Sequence, residues 1–323
     1  MIGALRRPEL MIDGESGSLA ALSGCLALAG PPQPTGIAAS LRDMTFSIVG
    51  RSADGRAHGV AVASKFLAVG AAVPGAEAEI GAIATQSYAN LAYRPQGIAL
   101  LRTGVTAANV VAGLTAADEG RDTRQLGVVG ANGDGATYTG PECHAWAGGV
   151  AGDGYAIQGN ILTGPEVVAA MESAWRDSVG EPRLARRLLA ALRAGDEAGG
   201  DRRGRQSAAL TVVAKGMGYG GTSDVVVDLR VDDHTAPREE LERLLDLHTL
   251  YFDKADPGDL LVLSGEIADE IRSALAALGH DPAAGVAGLD AALADWAGIE
   301  NLEERIVPGH IDPLVLSHLR GLA

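Results

Sequence analysis

The sequence predicts an α+β fold in which antiparallel sheets lie under layers of helices, followed by a small, mostly helical unit. Three observations carry that expectation. Short alternating or β-branched runs come in groups joined by turn signals, Asp54-Gly55 and Asn132-Gly133-Asp134-Gly135. Paired helical segments separate the groups in the order ββ(β)–αα–βββ–αα–ββ, and hairpin-grouped strands with helices between them favour antiparallel sheets with helical cover. Finally, Asp256-Pro257-Gly258-Asp259 breaks the pattern and sets residues 254–323 apart from residues 44–253.

The elements follow from local chemistry. Residues 45–50 and 58–64 form strands around the Asp54-Gly55 turn, and 80–85 a third short strand. Helices are expected over 95–101 and 107–119, the second with Thr106 as N-cap and Gly120 as stop. Strands 126–130 and 136–140 flank the Asn-Gly turn, and 155–160 is another. Residues 165–178 and 184–193 have helical periodicity, with Pro165 near the first start. Strands 208–214 and 224–231 close the series, before a helix at 237–250. In the C-terminal unit, 267–278, 289–296 and 313–319 read as helices.

Composition excludes several classes. Of 323 residues 47% are hydrophobic, enough for a sizeable core, and 26 basic against 41 acidic side chains give a net charge of −15. That acidity argues against nucleic acid, whose partners cluster Lys and Arg on the phosphate backbone. Cys25 and Cys143 are the only cysteines, and the seven histidines form no HxxxH or HExxH, so neither a disulfide framework nor a metal site is expected. No apolar run approaches the roughly 18 residues that span a bilayer, so no membrane partner is expected. Gly216-Met217-Gly218-Tyr219-Gly220-Gly221 matches GxGxxG, but a β-branched run follows where a helix would have to hold a pyrophosphate. It reads as a hairpin turn, and no cofactor is expected.

Residues 1–43 differ from the rest. They show no period of 2 or 3.6 and end in the breaker-rich Gly30-Pro31-Pro32-Gln33-Pro34-Thr35-Gly36, so they read as a leader or an extension outside the working protein. Export is the competing reading, because Arg6-Arg7 precede an apolar patch and Leu22-Ser23-Gly24-Cys25 looks like a lipoprotein box. Against it, Glu9, Asp13 and Glu15 intervene, and the patch falls short of the roughly 7–15 residues of a signal core. A cytoplasmic location is the expectation.

Four stretches carry chemistry. The first hairpin brings Lys65 back beside Thr45. If Met44 were removed, Thr45 would carry a free α-amine, ordinarily of pKa about 7.7–8.0 and therefore a better base at neutral pH than a lysine. A nearby cation such as Lys65, followed by the apolar Phe66-Leu67, would lower that amine's pKa and stabilise negative charge on the hydroxyl. Thr85-Gln86-Ser87-Tyr88-Ala89-Asn90 leaves a strand with uncharged polar groups, and Gly159-Asn160 ends another. Such amides and hydroxyls serve as oxyanion donors or substrate clamps, and equally as turn formers. Gly199-Gly200-Asp201-Arg202-Arg203-Gly204-Arg205-Gln206-Ser207 is the densest polar cluster, suited to orienting an acidic substrate or a nucleophile.

Met44-Thr45-Phe46-Ser47-Ile48-Val49, Gly59-Val60-Ala61-Val62-Ala63-Ser64-Lys65-Phe66, Tyr155-Ala156-Ile157-Gln158-Gly159-Asn160 and residues 200–209 together resemble the bacterial family filed as domain of unknown function 1028, grouped with the N-terminal nucleophile (Ntn) hydrolases. The resemblance covers about residues 44–235 and implies a four-layer αββα fold. It implies catalysis by an N-terminal residue, here Thr45, with its own α-amine as base. The tail through Trp296-Ala297-Gly298-Ile299-Glu300-Asn301-Leu302 is similar to a peptidoglycan-binding-like domain often appended to this family. The expected function is an amidohydrolase acting on a small amide, with Thr45 as nucleophile, Lys65 tuning charge, Asn160 and Gln86 as oxyanion or substrate donors, and Asp201 orienting the amine or the arginines. Ser64, Ser87, Asn90, Arg202, Arg203, Gln206 and Ser207 complete the expected substrate-binding set, with Arg202, Arg203 or Arg205 recognising a carboxylate. A homo-oligomer, by default a dimer, is expected. The alternatives are a non-catalytic protein that docks a cell-wall fragment or a protein partner through its C-terminal unit, and a metal hydrolase.

Overall fold

A computed structural model describes residues 45–323 of the protein. The expectations for residues 1–43, and for removal of Met44, lie outside the described residues. In chain order the elements are β1 (Thr45–Arg51), β2 (Ala57–Ser64), α1 (Val69–Ala72), β3 (Pro74–Glu77), β4 (Gly81–Ser87), α2 (Tyr93–Leu101) and α3 (Ala107–Ala116). Next come β5 (Arg124–Gly130), β6 (Gly135–Thr139), β7 (Gly148–Gly152), β8 (Tyr155–Asn160), α4 (Glu166–Asp177), α5 (Leu184–Glu197), β9 (Ser207–Ala214), β10 (Val225–Val231) and α6 (Pro237–Phe252). The C-terminal region holds β11 (Leu261–Val262), α7 (Gly265–Ala277), α8 (Gly285–Ile299), β12 (His310–Ile311) and α9 (Pro313–Leu322).

The N-terminal region is α+β with two antiparallel sheets. Six strands run in the order β10-β9-β2-β1-β8-β7 and four in the order β3-β4-β5-β6. The central strand β1 is buried on both faces, so even its polar residues Thr45 and Ser47 are inside. Phe46 and Ile48 join Ile157, Met171, Trp175, Leu188 and Leu192 in a cluster with α4 and α5. On the opposite face, Val49 joins Val60, Val62, Ala82, Ala84 and Val129, drawn from both sheets. A third cluster, with Ile83, Tyr93, Val110, Leu114, Leu126 and Val128, packs α2 and α3 on the smaller sheet. The mostly helical C-terminal region has its own core of Ile271, Leu275, Leu289, Leu293, Trp296 and Leu319, to which Leu250 of α6 contributes.

Differences from the expected elements have local causes. The strands β3 and β7 escape a sequence reading because Pro-Gly-Ala-Glu and Gly-Gly-Val-Ala-Gly have little intrinsic β preference; pairing with β4 and β8 makes them strands. Helix α3 begins on the expected Thr106 cap but stops at Ala116 rather than at residue 119. Asp118 ends it by accepting bonds from Gly120 N, Asn90, Tyr93 and Arg124. As expected, the GxGxxG stretch is the turn between the antiparallel β9 and β10.

At the far end of the first hairpin His58 pairs with Arg51 and is fully buried, with the Gly130 backbone against its ring. Burial, helped by the Arg51 charge, pushes its pKa down from 6.5 to about 4. The unfolded chain therefore takes up a proton below pH 6.5 that the folded chain refuses until about pH 4. Stability is full above pH 6.5 and falls by about 3 kcal/mol as pH drops through that window. Denaturant titrations across the window should show this slope in the parent protein and lose it in His58→Met; parallel curves would overturn the assignment.

Candidate functional site

Strand register builds a polar row at one end of the large sheet. Thr45 lies opposite Ser64 on one side and Asn160 on the other, and Ser64 lies opposite Ser207. Four adjacent strands thus bring Ser207, Ser64, Thr45 and Asn160 into one line, all buried. Parity explains their common direction: the next residues inward, Phe46, Ala63 and Ala208, belong to the cluster under α4 and α5, so the row itself faces the second sheet. The Oγ1 of Thr45 is 3.2 Å from Ser64 Oγ. Ser207 shapes the turn after β2, donating to Phe66 O and accepting from Val69 N at 3.1 Å.

Beneath the row lies a buried amide network between the sheets. Gln86 Nε2 donates to Thr45 O at 3.1 Å, to Gln125 Oε1 at 2.8 Å and to Gln158 O at 3.3 Å, while its Oε1 accepts from Ser47 Oγ at 2.6 Å. Asn160 Nδ2 donates to Gln125 Oε1 at 2.9 Å and to Thr45 O at 3.4 Å. Gln158 Nε2 donates to Ser47 Oγ at 2.6 Å. The network fixes the position of Thr45 through its carbonyl. It also corrects an expectation: the N–H groups of Gln86 and Asn160 are already engaged inward, so neither amide has a donor left for an oxyanion.

Asp201 sits on a turn beside the row. Its Oδ2 accepts from Lys65 N at 2.7 Å and its Oδ1 from Arg203 N at 2.8 Å, and Arg203 also ion-pairs with it at 3.3 Å. The turn needs glycine at Gly200 and Gly204, which take φ of +49° and +109°. Lys65 departs from expectation, because its side chain is exposed and its Nζ donates to Arg205 O at 3.2 Å. Strand β2 ends at Ser64, so Lys65 lies past the covered part of the sheet and its side chain reaches solvent. Arg205 is committed to Asp196 at 2.7 Å, whereas the exposed Arg202 guanidinium makes no hydrogen bond among the described residues. Gln206 directs its amide to Asp233 rather than to the row. A small, partly open recess alongside, of about 10 Å³, is lined by Phe46, Ser64, Asp196, Asp201, Arg205 and Arg238.

The remaining expected residues divide. Ser87 is buried at the end of β4 with φ +65° and hydrogen-bonds the Cys143 thiol, whose pKa burial pushes up. Asn90 instead ties Asp118 and Ala92 N at the start of α2 and, among the described residues, makes no hydrogen bond to the row. Ile161, directly after Asn160, takes φ +48°, a left-handed conformation that costs a β-branched residue about 1–3 kcal/mol. Among the described residues no three His, Cys, Asp or Glu side chains form a metal-ligating group, and no helix is long and apolar enough to cross a membrane.

A family model described as "Family of unknown function (DUF1028)" matches residues 45–241, from Thr45 of the polar row into α6. The chain belongs to the DUF1028 family. A second model, "Putative peptidoglycan binding domain", matches residues 251–319. Among solved structures, protein SPO2555 from Silicibacter pomeroyi, described as DUF1028, is 30% identical, with 70% of this chain and 93% of that chain covered and a TM-score of 0.58. No curated protein matches.

Within this DUF1028 domain the residues missed from sequence are Gln125, Gln158 and Ser47. The available signal was a polar side chain inside a strand buried on both faces, where each buried polar group needs a partner. Nothing local names that partner, because Gln125 binds Gln86 and Asn160 from positions 39 and 35 residues away.

Proposed function

We propose that this DUF1028 chain is an Ntn-type amidohydrolase that cleaves a small amide, on a four-layer αββα framework, with Thr45 as nucleophile once residues up to Met44 are gone. The observation that carries the reading is the place of Thr45. It is the first residue of the family match, buried at a strand end, with its Oγ1 3.2 Å from Ser64 Oγ. A neutral α-amine takes the proton of Oγ1, and the oxygen attacks the amide carbonyl. The same amine then passes that proton to the leaving nitrogen as the C–N bond breaks, leaving an ester on Thr45 that water hydrolyses. Asp201 holds the turn that carries the Lys65 backbone, and Arg202 is the guanidinium free to meet a substrate carboxylate.

The test joins mass to turnover. The native protein should begin at Thr45, and a panel of amides, ureides and acyl-amino acids should contain a substrate that Thr45→Ala leaves uncleaved. Full hydrolysis by Thr45→Ala would sink the reading. The match over residues 251–319 favours a second reading, a binding protein that docks cell-wall fragments through its C-terminal region. Co-sedimentation with purified peptidoglycan, by a chain that retains the residues before Thr45 and cleaves nothing, would select it.

A further inference from the structure

We propose that Asn160 is a positioning residue for the Thr45 α-amine: its carbonyl oxygen Oδ1 accepts an N–H of the freed ammonium, and Gln125 holds Asn160 in the orientation that allows this. The inference rests on the reading of Thr45 as an N-terminal nucleophile and supplies the group that holds its base.

Backbone carbonyls fix the direction of every amide in the network. Gln125 Nε2 faces Gly159 O at 2.7 Å and Gly148 O at 3.3 Å, with Thr139 Oγ1 at 2.9 Å. Carbonyls only accept, so the nitrogen end of Gln125 belongs there and Oε1 lies on the opposite side. That oxygen receives Gln86 Nε2 at 2.8 Å and Asn160 Nδ2 at 2.9 Å. Turning Asn160 over would set its oxygen against Gln125 Oε1 and Thr45 O, two acceptor-on-acceptor contacts. Asn160 therefore keeps its nitrogen inward, and its Oδ1 is left over.

Asn160 is fully buried, and Oδ1 has no hydrogen-bond partner among the described residues. An acceptor held so firmly and left unpaired calls for a donor that the intact peptide lacks. Its cross-strand neighbour is Thr45. As a peptide, Thr45 N carries one hydrogen held in the peptide plane. As an ammonium it carries three that rotate about N–Cα, and one of them reaches the Oδ1 side. That bond restricts rotation of the nitrogen and favours the protonated form. Burial and the cations on the turn side, Lys65 and Arg203, oppose that form, and the Asp201 carboxylate supports it; Cys143 and His144 lie on the segment before β7. All of these stay constant when only Asn160 is changed.

The experiment uses the mature chain, its start at Thr45 established by intact mass. Acetic anhydride at trace level labels the N-terminal amine across pH 5–10, and the N-terminal peptide, separated from the lysine peptides, reports the amine's apparent pKa. Asn160→Ala, and Asn160→Leu, which keeps the shape without the carbonyl, should each lower that pKa by about one unit. A crystal structure of the unsubstituted mature chain should place Thr45 N about 3 Å from Asn160 Oδ1, whether or not the variants fold. A pKa unchanged in both variants, or a nitrogen well beyond hydrogen-bond reach, overturns the inference while leaving the nucleophile in place. A chain that never starts at Thr45 removes the proposed function, and this inference with it.

Discussion

Gln125→Leu is expected to lower the unfolding free energy by about 4 kcal/mol, although no charge is involved and the shape is nearly kept. The buried side chain meets five partners: Oε1 accepts from Gln86 and Asn160, and the two hydrogens of Nε2 are shared among Thr139 Oγ1, Gly148 O and Gly159 O. Leucine removes all five at once. Gln86 Nε2 retains Thr45 O and Gln158 O, so its loss is partial. Asn160 Nδ2 retains only the 3.4 Å contact to Thr45 O, and Thr139 and the two glycine carbonyls lose a donor. Each buried group left short costs about 1–3 kcal/mol, and partial rescue by neighbours keeps the total near the lower end of the sum. Urea unfolding measures the change, with Gln206→Leu as the control, since that amide meets only Asp233 near the surface and should move stability by no more than about 0.5 kcal/mol. A loss below about 1 kcal/mol for Gln125→Leu would mean that the network is not held together through this residue.

That contrast marks how far the sequence could be read. The hairpin at Asp54-Gly55 fixes which residue of β2 returns to Thr45, because turn length sets register, and so the nucleophile candidate and its neighbourhood were legible. One residue of register then separates a side chain that lies against Thr45 from one that reaches solvent. Ser64 is opposite Thr45 at the last position of β2, whereas Lys65 lies just past it and is exposed, and apolar neighbours in sequence do not report where the strand ends. Asn160 was legible as a polar strand end, but its direction was not, because that depends on Gln125 and through it on two carbonyls of other strands. Asn90 looked the same from sequence as Asn160. Asp118, 28 residues on, claims it for the start of α2. The strands β3 and β7 stayed hidden for the converse reason, since glycine-rich segments become strands only when a neighbour supplies the pairing.

Arg305→Met should cost a similar amount, about 3–5 kcal/mol, and should act on the C-terminal region and its junction with α6. Arg305 and Asp312 are each about 4% exposed and pair at 2.5 Å. The guanidinium also donates from Nε to Leu250 O at 2.8 Å and from a terminal nitrogen to Thr249 O. Those carbonyls belong to the last turn of α6, where Thr249 O also accepts from Asp253 N at 3.3 Å, and a cation there complements the negative end of the helix dipole. Asp312 in turn caps α9, accepting from Leu314 N at 2.7 Å. A single arginine, 55 residues on from Leu250, thus finishes one helix and steadies the cap of another. Methionine fills much of the volume but leaves a buried carboxylate unpaired and removes the side-chain donor from Leu250 O. Arg305→Lys keeps the charge without the planar fork and should recover only part of the loss. Denaturant unfolding followed at Trp296, in the C-terminal core, with limited proteolysis around residues 253–259, reads the effect. A Trp296 transition unmoved by Arg305→Met would show that apolar packing alone holds this region to α6.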